Sequence, residues 1–283
     1  MHAMPCGSSD GTYNGVFPAD PVFFSNASAQ ALGLSVVRNM MSWYTSLPAD
    51  LQPTVWAFTL LNEPGLGVVS SGSGINGGGV RKGNTALPNN KPVIAWLAQA
   101  VEIFKAELTA GASGAPRGPN MPLLYMNLHE SAFPGADSLG QMGRACKESF
   151  GLAGMPWAVF DVHHYFSWGG PGGSGIPAQN CSTDAELSTY VRQAMDGWTR
   201  NFNAVKVQND LLNVACSEWA LSLHHKDHVL PCTAPHALEI MFDEQRAAFK
   251  RASVSDIMWG WRMPQGGTHE RMWSLKYHLL GKH

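Results

Sequence analysis

Thr54-Val55-Trp56-Ala57-Phe58-Thr59-Leu60-Leu61-Asn62-Glu63-Pro64 holds the plan of the whole chain. Thr54–Leu61 is nearly continuously apolar, as a strand buried on both faces must be. It ends in a polar pair, Asn62-Glu63, and a proline. The plan recurs downstream. Leu123–Leu128 is a short apolar strand that ends at His129, and Trp157–Val162 runs into His163-His164-Tyr165. Leu211–Cys216 runs into Ser217-Glu218-Trp219, and Ile257–Trp261 runs into Arg262.

Amphipathic helices lie between and beside these strands. Ala29–Tyr44 carries Leu32, Val36, Val37, Met40, Met41 and Tyr44 toward one side. Pro92–Leu108 opens with proline at the first helical position and spaces Val93, Leu97, Val101, Phe104 and Leu108 along one face. Thr183-Asp184-Ala185-Glu186 is a capping box, followed by Leu187, Val191, Met195, Trp198, Phe202 and Val205. Pro235–Ala252 is a further helix, and Trp273–Leu280 a short last one. Gly65–Leu87 is rich in Gly and Ser and reads as a flexible insertion, about 65–87.

Strand–helix alternation of this kind means parallel βα units. No G-x-G-x-x-G follows the first strand, which removes support for a dinucleotide fold. Carboxylates, imidazoles and aromatics gather instead at the C-terminal ends of successive strands, where barrel enzymes build their sites. The expected fold is therefore α/β, a TIM (β/α)8-type barrel, with residues 1–283 forming a single domain.

Composition narrows the function. Hydrophobic residues make up 45% of the 283, enough for a large packed core. Charged residues are only 14% and the net charge is -2, so there is no electrostatic footprint for nucleic acid. No apolar run approaches the roughly 20 residues of a membrane span. Ten Trp suit a protein that binds flat, partly apolar rings such as sugars. Five cysteines are scattered without metal-ligand spacing, and the sequence does not fix their pairing. The sequons at Asn26 and Asn180 lean toward secretion.

Glu63 and Glu218 carry the chemistry. A carboxylate ending one buried strand is an ordinary cap or ion-pair partner. Two of them, on two strands of one barrel, suit the pair that retaining glycoside hydrolysis needs, about 5–5.5 Å apart. One attacks the anomeric carbon. The other protonates the leaving oxygen and then activates water. His163 and His164 are poor candidates for a shared metal, because neighbours on a strand point to opposite faces. No metal and no cofactor are expected.

At these residues the chain resembles glycoside hydrolase family 5, in its exo-β-1,3-glucanase-like branch. Leu60-Leu61-Asn62-Glu63-Pro64 resembles the acid/base signature, and Ser217-Glu218-Trp219 the nucleophile motif, with Ser217 where Gly is usual. Val162-His163-His164-Tyr165 resembles the H-H-Y segment. Met258-Trp259-Gly260-Trp261-Arg262 resembles the W-x-W-K motif, with Arg for Lys. The resemblance implies Glu63 as acid/base and Glu218 as nucleophile. It implies that Asn62, His163, Tyr165 and Trp259 bind the sugar, and that Trp168 stands at the pocket entrance. His164 is expected to support structure, and Trp261 to lie in the core. Glu130, in a stretch like the family's H-D-A-F, is a secondary carboxylate.

His2 to Gly15 resembles the family's third-strand segment, D-x-H-x-x-P-G-S-x-N-G, with Cys6 where Gly is usual, and the resemblance assigns His2 and Asn14 to substrate binding. Two βα units precede that segment in the family, and the second supplies an Arg to the nucleophile. The expectation is thus a barrel lacking about its first two βα units. A signal peptide is absent from Met1–Gly7, and the full-length protein is expected to be secreted or cell-wall associated. The expected substrate is a β-glucan polysaccharide or oligosaccharide, cleaved as by an exo-β-1,3-glucosidase. Endo-β-1,4-glucanase activity, another family 5 activity, and an inactive carbohydrate-binding remnant are the alternatives. The expected state is a monomer.

Overall fold

The computed structural model describes residues 3–9, 16, 20–66, 68, 87–110, 115–116, 120–133, 135, 137–166, 176, 178–222, 232, 234–261 and 268–280. The chain divides into two compact units, Met1–Asp161 with Val205–Asn213, and Val162–Ala204 with Val214–His283.

The first unit contains helices α1 (Ala27–Ser46), α2 (Lys91–Leu108) and α3 (Ser138–Arg144). Its strands are β1 (Ala57–Thr59), β2 (Thr109–Ala110), β3 (Ala115–Pro116), β4 (Leu123–Asn127) and β5 (Ala158–Asp161). The pair β2–β3 is a small antiparallel ladder. The others run parallel: β1 pairs with β4, setting Phe58 beside Leu124, and β4 pairs with β5, setting Asn127 beside Asp161. All four residues of β5 are buried, as the apolar run at Trp157–Val162 requires.

β1 is shorter than the eight residues expected, Thr54–Leu61. Pro53 draws Gln52–Thr54 into a turn of 3-10 helix, and Leu60 and Leu61, though buried, lie past the ladder. α1 starts where its sequence says a helix should. Asn26 Oδ1 accepts a hydrogen bond from the Ala29 backbone N–H at 3.0 Å, a cap worth about 1 kcal/mol.

The buried side of α1 differs from the expected one. Leu32 is 56% exposed, and the stripe that packs inward is Ala29, Gly33, Val37, Met41 and Tyr44. Small residues at 29 and 33 let the α2 side approach closely. A Cβ built on Gly33 would meet Phe23 Cζ at 2.8 Å and Trp96 Cζ2 at 3.3 Å. Phe23 and Trp96 meet edge to face at 5.1 Å, and the Trp96 indole N–H donates to the Gln30 carbonyl at 3.1 Å. On α2 the expected residues Val93, Leu97, Val101, Phe104 and Leu108 are all buried.

The second unit carries α4 (Asp184–Gln208), whose last turn counts with the first unit, and β6 (Asn213–Trp219). It continues through α5 (Pro235–Ala252), β7 (Ser255–Met258), α6 (Thr268–Trp273) and α7 (Leu275–Leu280). The capping box forms in part. Thr183 Oγ1 accepts from the Glu186 N–H at 3.2 Å and donates to the Glu186 carboxylate at 2.9 Å. Ser188 and Arg192 of α4 clasp Glu244 of α5 at 2.6 and 2.5 Å, and Arg251 reaches Asp196 at 2.7 Å. Beneath them Trp219 is fully buried, with Phe242 and Phe249 at 5.9 and 5.6 Å. Cys181 and Cys232 form a disulfide, and Cys6, Cys146 and Cys216 are not joined in one.

Three expectations change here. β6 runs on through Glu218 to Trp219 instead of ending at Cys216. β7 ends at Met258, and Trp261, expected in the core, is 58% exposed. The last helix is two short ones, because Ser274 interrupts it and caps α7 by accepting from the Tyr277 N–H at 3.3 Å. Among the described residues no helix is long and apolar enough to cross a membrane. Most of the Gly/Ser-rich insertion, 67 and 69–86, lies outside the described residues.

Candidate active site

In the first unit, Glu63 sits four residues past β1, half-buried, on backbone that departs from the strand. Its φ is +42°, left-handed for a residue with a Cβ, a conformation that costs about 1–3 kcal/mol and persists only where its surroundings enforce it. Those surroundings are visible. The Glu63 N–H donates to Asn127 Oδ1 at 2.7 Å, and its carbonyl accepts from the Leu66 N–H at 3.1 Å. Gly65, at φ +81°, completes the turn and packs against Val93 and Ala132, each 3.1 Å from where a Cβ would stand.

Beside this turn, Asn127 and Asp161 are buried at the ends of β4 and β5, and Asn127 Nδ2 donates to Asp161 Oδ2 at 3.1 Å. The phenol of Tyr125, two residues back on β4, is pushed up to about 12, by burial first and by the charge of Asp161 second. His129 Nε2 lies 4.0 Å from Glu63 Oε1. Asn62 precedes Glu63 and is likewise half-buried. Glu130, the secondary carboxylate, is exposed.

In the second unit, Glu218 lies in a bulge. Cys216 pairs with Asp256 and Trp219 with Met258, so Ser217 and Glu218 oppose a single residue, Ile257. A bulge bends the strand and re-aims a side chain. The segment after Val162 lies along the other side of β6. The His164 N–H donates to the Glu218 carbonyl at 3.0 Å, and Val162 N–H to the Ala215 carbonyl at 3.2 Å.

The period of two along an extended segment sorts His163, His164 and Tyr165 between faces. The Tyr165 hydroxyl donates a short hydrogen bond to Glu218 Oε1, and His163 Nδ1 lies 3.6 Å from Glu218 Oε2. His163 Nε2 is also 3.5 Å from Ser217 Oγ. His164 points the other way, buried against Trp198 with ring centroids 4.6 Å apart. Burial pushes its imidazole down to about 3, so it is neutral at ordinary pH. It supports structure, as expected. Trp259 follows β7, is 46% exposed, and donates its N–H to the Trp219 carbonyl at 2.8 Å. Tyr165 also packs on Trp273, centroids 5.6 Å apart.

Each unit holds part of the expected set. Glu218, His163 and Tyr165 are in direct contact or near it. Asn62 and Glu63 share a turn fixed by Asn127. His2, Asn14 and Trp168 lie outside the described residues. No role was read from the sequence for Asp161 or Trp273. A buried acid closing the apolar run Ala158–Asp161 was the available signal for Asp161.

No family model matches the chain, and no curated protein does. Solved structures match its shape. A rutinosidase from Aspergillus niger superposes with TM-score 0.60 at 14% identity, covering 99% of this chain and 64% of that one. The protein called AoRut gives TM-score 0.57 at 16% identity, over 98% of this chain and 62% of that one. A GH5-4 broad specificity endoglucanase from an uncultured bacterium gives 0.53 at 12%, over 92% and 62%. The chain therefore spans less than two thirds of the length of these neighbours. At such identities the likeness is one of fold: parallel βα units of the TIM-barrel type found in these glycosidases, the class expected from the strand-end pattern.

Proposed function

We propose that the chain belongs to a retaining glycoside hydrolase in which Glu218 is the nucleophile and Glu63 the acid/base. The observation that carries this reading is the setting of Glu218. A strand bulge turns its carboxylate toward a neutral phenol donor, Tyr165, with an imidazole 3.6 Å away. A carboxylate held by a hydroxyl donor is fixed in direction, which is what attack on an anomeric carbon requires. Glu63, on the turn that follows another parallel strand, then gives its proton to the leaving oxygen. In the second step it takes a proton from the water that releases the sugar.

Asn62, His163, Tyr165 and the half-exposed Trp259 bind the sugar in this reading, and His2, Asn14 and Trp168 complete the substrate contacts. The substrate is a β-glucan or its oligosaccharides, cleaved as by an exo-β-1,3-glucosidase. The Cys181–Cys232 disulfide supports a secreted protein, since such bonds persist in oxidising compartments.

The test compares wild type, Glu218→Gln and Glu63→Gln on 4-nitrophenyl β-glucoside, laminarin and carboxymethyl cellulose, with proton NMR of the first anomer released. Wild type is expected to cleave laminarin with retention of configuration. Glu218→Gln should lose on the order of 10³-fold or more, and Glu63→Gln about 10²–10⁴-fold on laminarin. Cleavage with inversion, or sugar binding without cleavage by wild type, overturns the proposal; the latter outcome marks a carbohydrate-binding remnant.

A further inference from the structure

We propose that Asn127 is a positioning residue for Glu63, and that Asp161 holds Asn127 in the one orientation that allows it. The inference rests on the proposed acid/base role of Glu63.

Glu63 occupies left-handed backbone, φ +42°, and its side-chain direction depends on that torsion. Its N–H donates to Asn127 Oδ1 at 2.7 Å. An amide side chain can present either its oxygen or its nitrogen to a neighbour. Here the choice is settled on the far side, where Asn127 Nδ2 donates to Asp161 Oδ2 at 3.1 Å. Turning the amide over would face Nδ2 to a backbone N–H and Oδ1 to a carboxylate, two mismatches at once. Both side chains are buried, Asn127 at 2% exposure and Asp161 at 0%, so water offers no ready replacement. The parallel register places the two opposite one another, Asn127 on β4 beside Asp161 on β5. Strand pairing thus fixes Asp161, Asp161 fixes the amide, and the amide fixes the turn that carries the proton donor.

A displaced proton donor fails selectively. Cleavage of a glycoside with a strongly acidic leaving group, such as 2,4-dinitrophenolate, needs no proton in the bond-breaking step. Cleavage of an alkyl β-glucoside does, because the departing alkoxide must be protonated as the bond breaks. The experiment measures the rate of glycosyl-enzyme formation for both substrates and takes the ratio of alkyl to dinitrophenyl.

In Asn127→Leu that ratio is expected to fall about 100-fold, the usual effect of a misplacement of order 1 Å. General structural damage would lower both rates together and leave the ratio alone. Should Asn127→Leu fail to fold, Asp161→Asn is isosteric and removes the charge that orients the amide. Its ratio should fall about tenfold or less, the loss of one charge-assisted hydrogen bond. An unchanged ratio in the folded variants, with a lowered ratio in Glu63→Gln, overturns the inference and leaves the proposed function standing. An unchanged ratio in Glu63→Gln, or a wild type that cleaves neither glucoside, overturns both.

Discussion

Cutting the Cys181–Cys232 disulfide should destabilise the protein by about 4 kcal/mol. The bond joins residues 51 apart in sequence and lies within one compact unit, between the turn that leads into α4 and the segment before α5. In the chain-entropy account, closing a loop of that length removes roughly 14 cal/mol/K from the unfolded ensemble, or about 4 kcal/mol at 25 °C. Both cysteines are buried, so Ser at either position also places a hydroxyl where a sulfur had packed. With an unfolding entropy of about 2.1 cal/mol/K per residue over 283 residues, 4 kcal/mol lowers Tm by roughly 7 °C. The assay is thermal and urea unfolding of Cys181→Ser, Cys232→Ser and the double variant, each with and without reductant. Because each single change already breaks the bond, the three variants should agree within about 1 kcal/mol, and reductant should affect wild type only. Losses that add between the two sites, or a wild type indifferent to reductant, would refute the reasoning.

Gly33→Ala should destabilise by about 1–2 kcal/mol in urea unfolding, although alanine favours a helix by about 1 kcal/mol, because its Cβ meets the Phe23 ring at 2.8 Å. A gain in stability would show that the α1 packing is loose. His164 yields a pH dependence. Its folded imidazole sits near 3, below the ordinary 6.5, so between those values the unfolded chain binds the extra proton. Stability should fall as pH drops from about 6.5 toward 3, by at most about 1.4 kcal/mol per pH unit from this group. His164→Gln should remove that share of the slope, and a slope equal to wild type would rule the group out.

Much of the architecture was legible because its signals are local. Pro235 and the spacing behind it gave α5 its bounds, and the apolar face of α2 was read residue by residue. The strand ends were legible too, since a sudden polar pair after a buried run has few explanations. What escaped depends on neighbours distant in sequence. The stripe Ala29–Gly33–Val37 on α1 is set by Phe23 and Trp96, so the large residue Leu32 was a false guide. The Asn127–Asp161 clasp bridges two strands, and no spacing within either strand announces it. The pairing of Cys181 with Cys232 depends on where α4 and α5 begin in space. The extra residue at Ser217-Glu218 can be seen only against its partner strand.

That extra residue sets two demands of the chain against each other. A ladder gains from an unbroken register, and deleting one residue between Cys216 and Trp219 would let β6 and β7 pair without interruption. The same deletion would swing the position of Glu218 to the opposite face of the strand. If Glu218 has its proposed role, selection for a more robust fold and selection for that carboxylate's placement pull in opposite directions at one peptide unit. A stabilised descendant of this chain that had closed the bulge would keep its shape and lose its Tyr165–Glu218 contact.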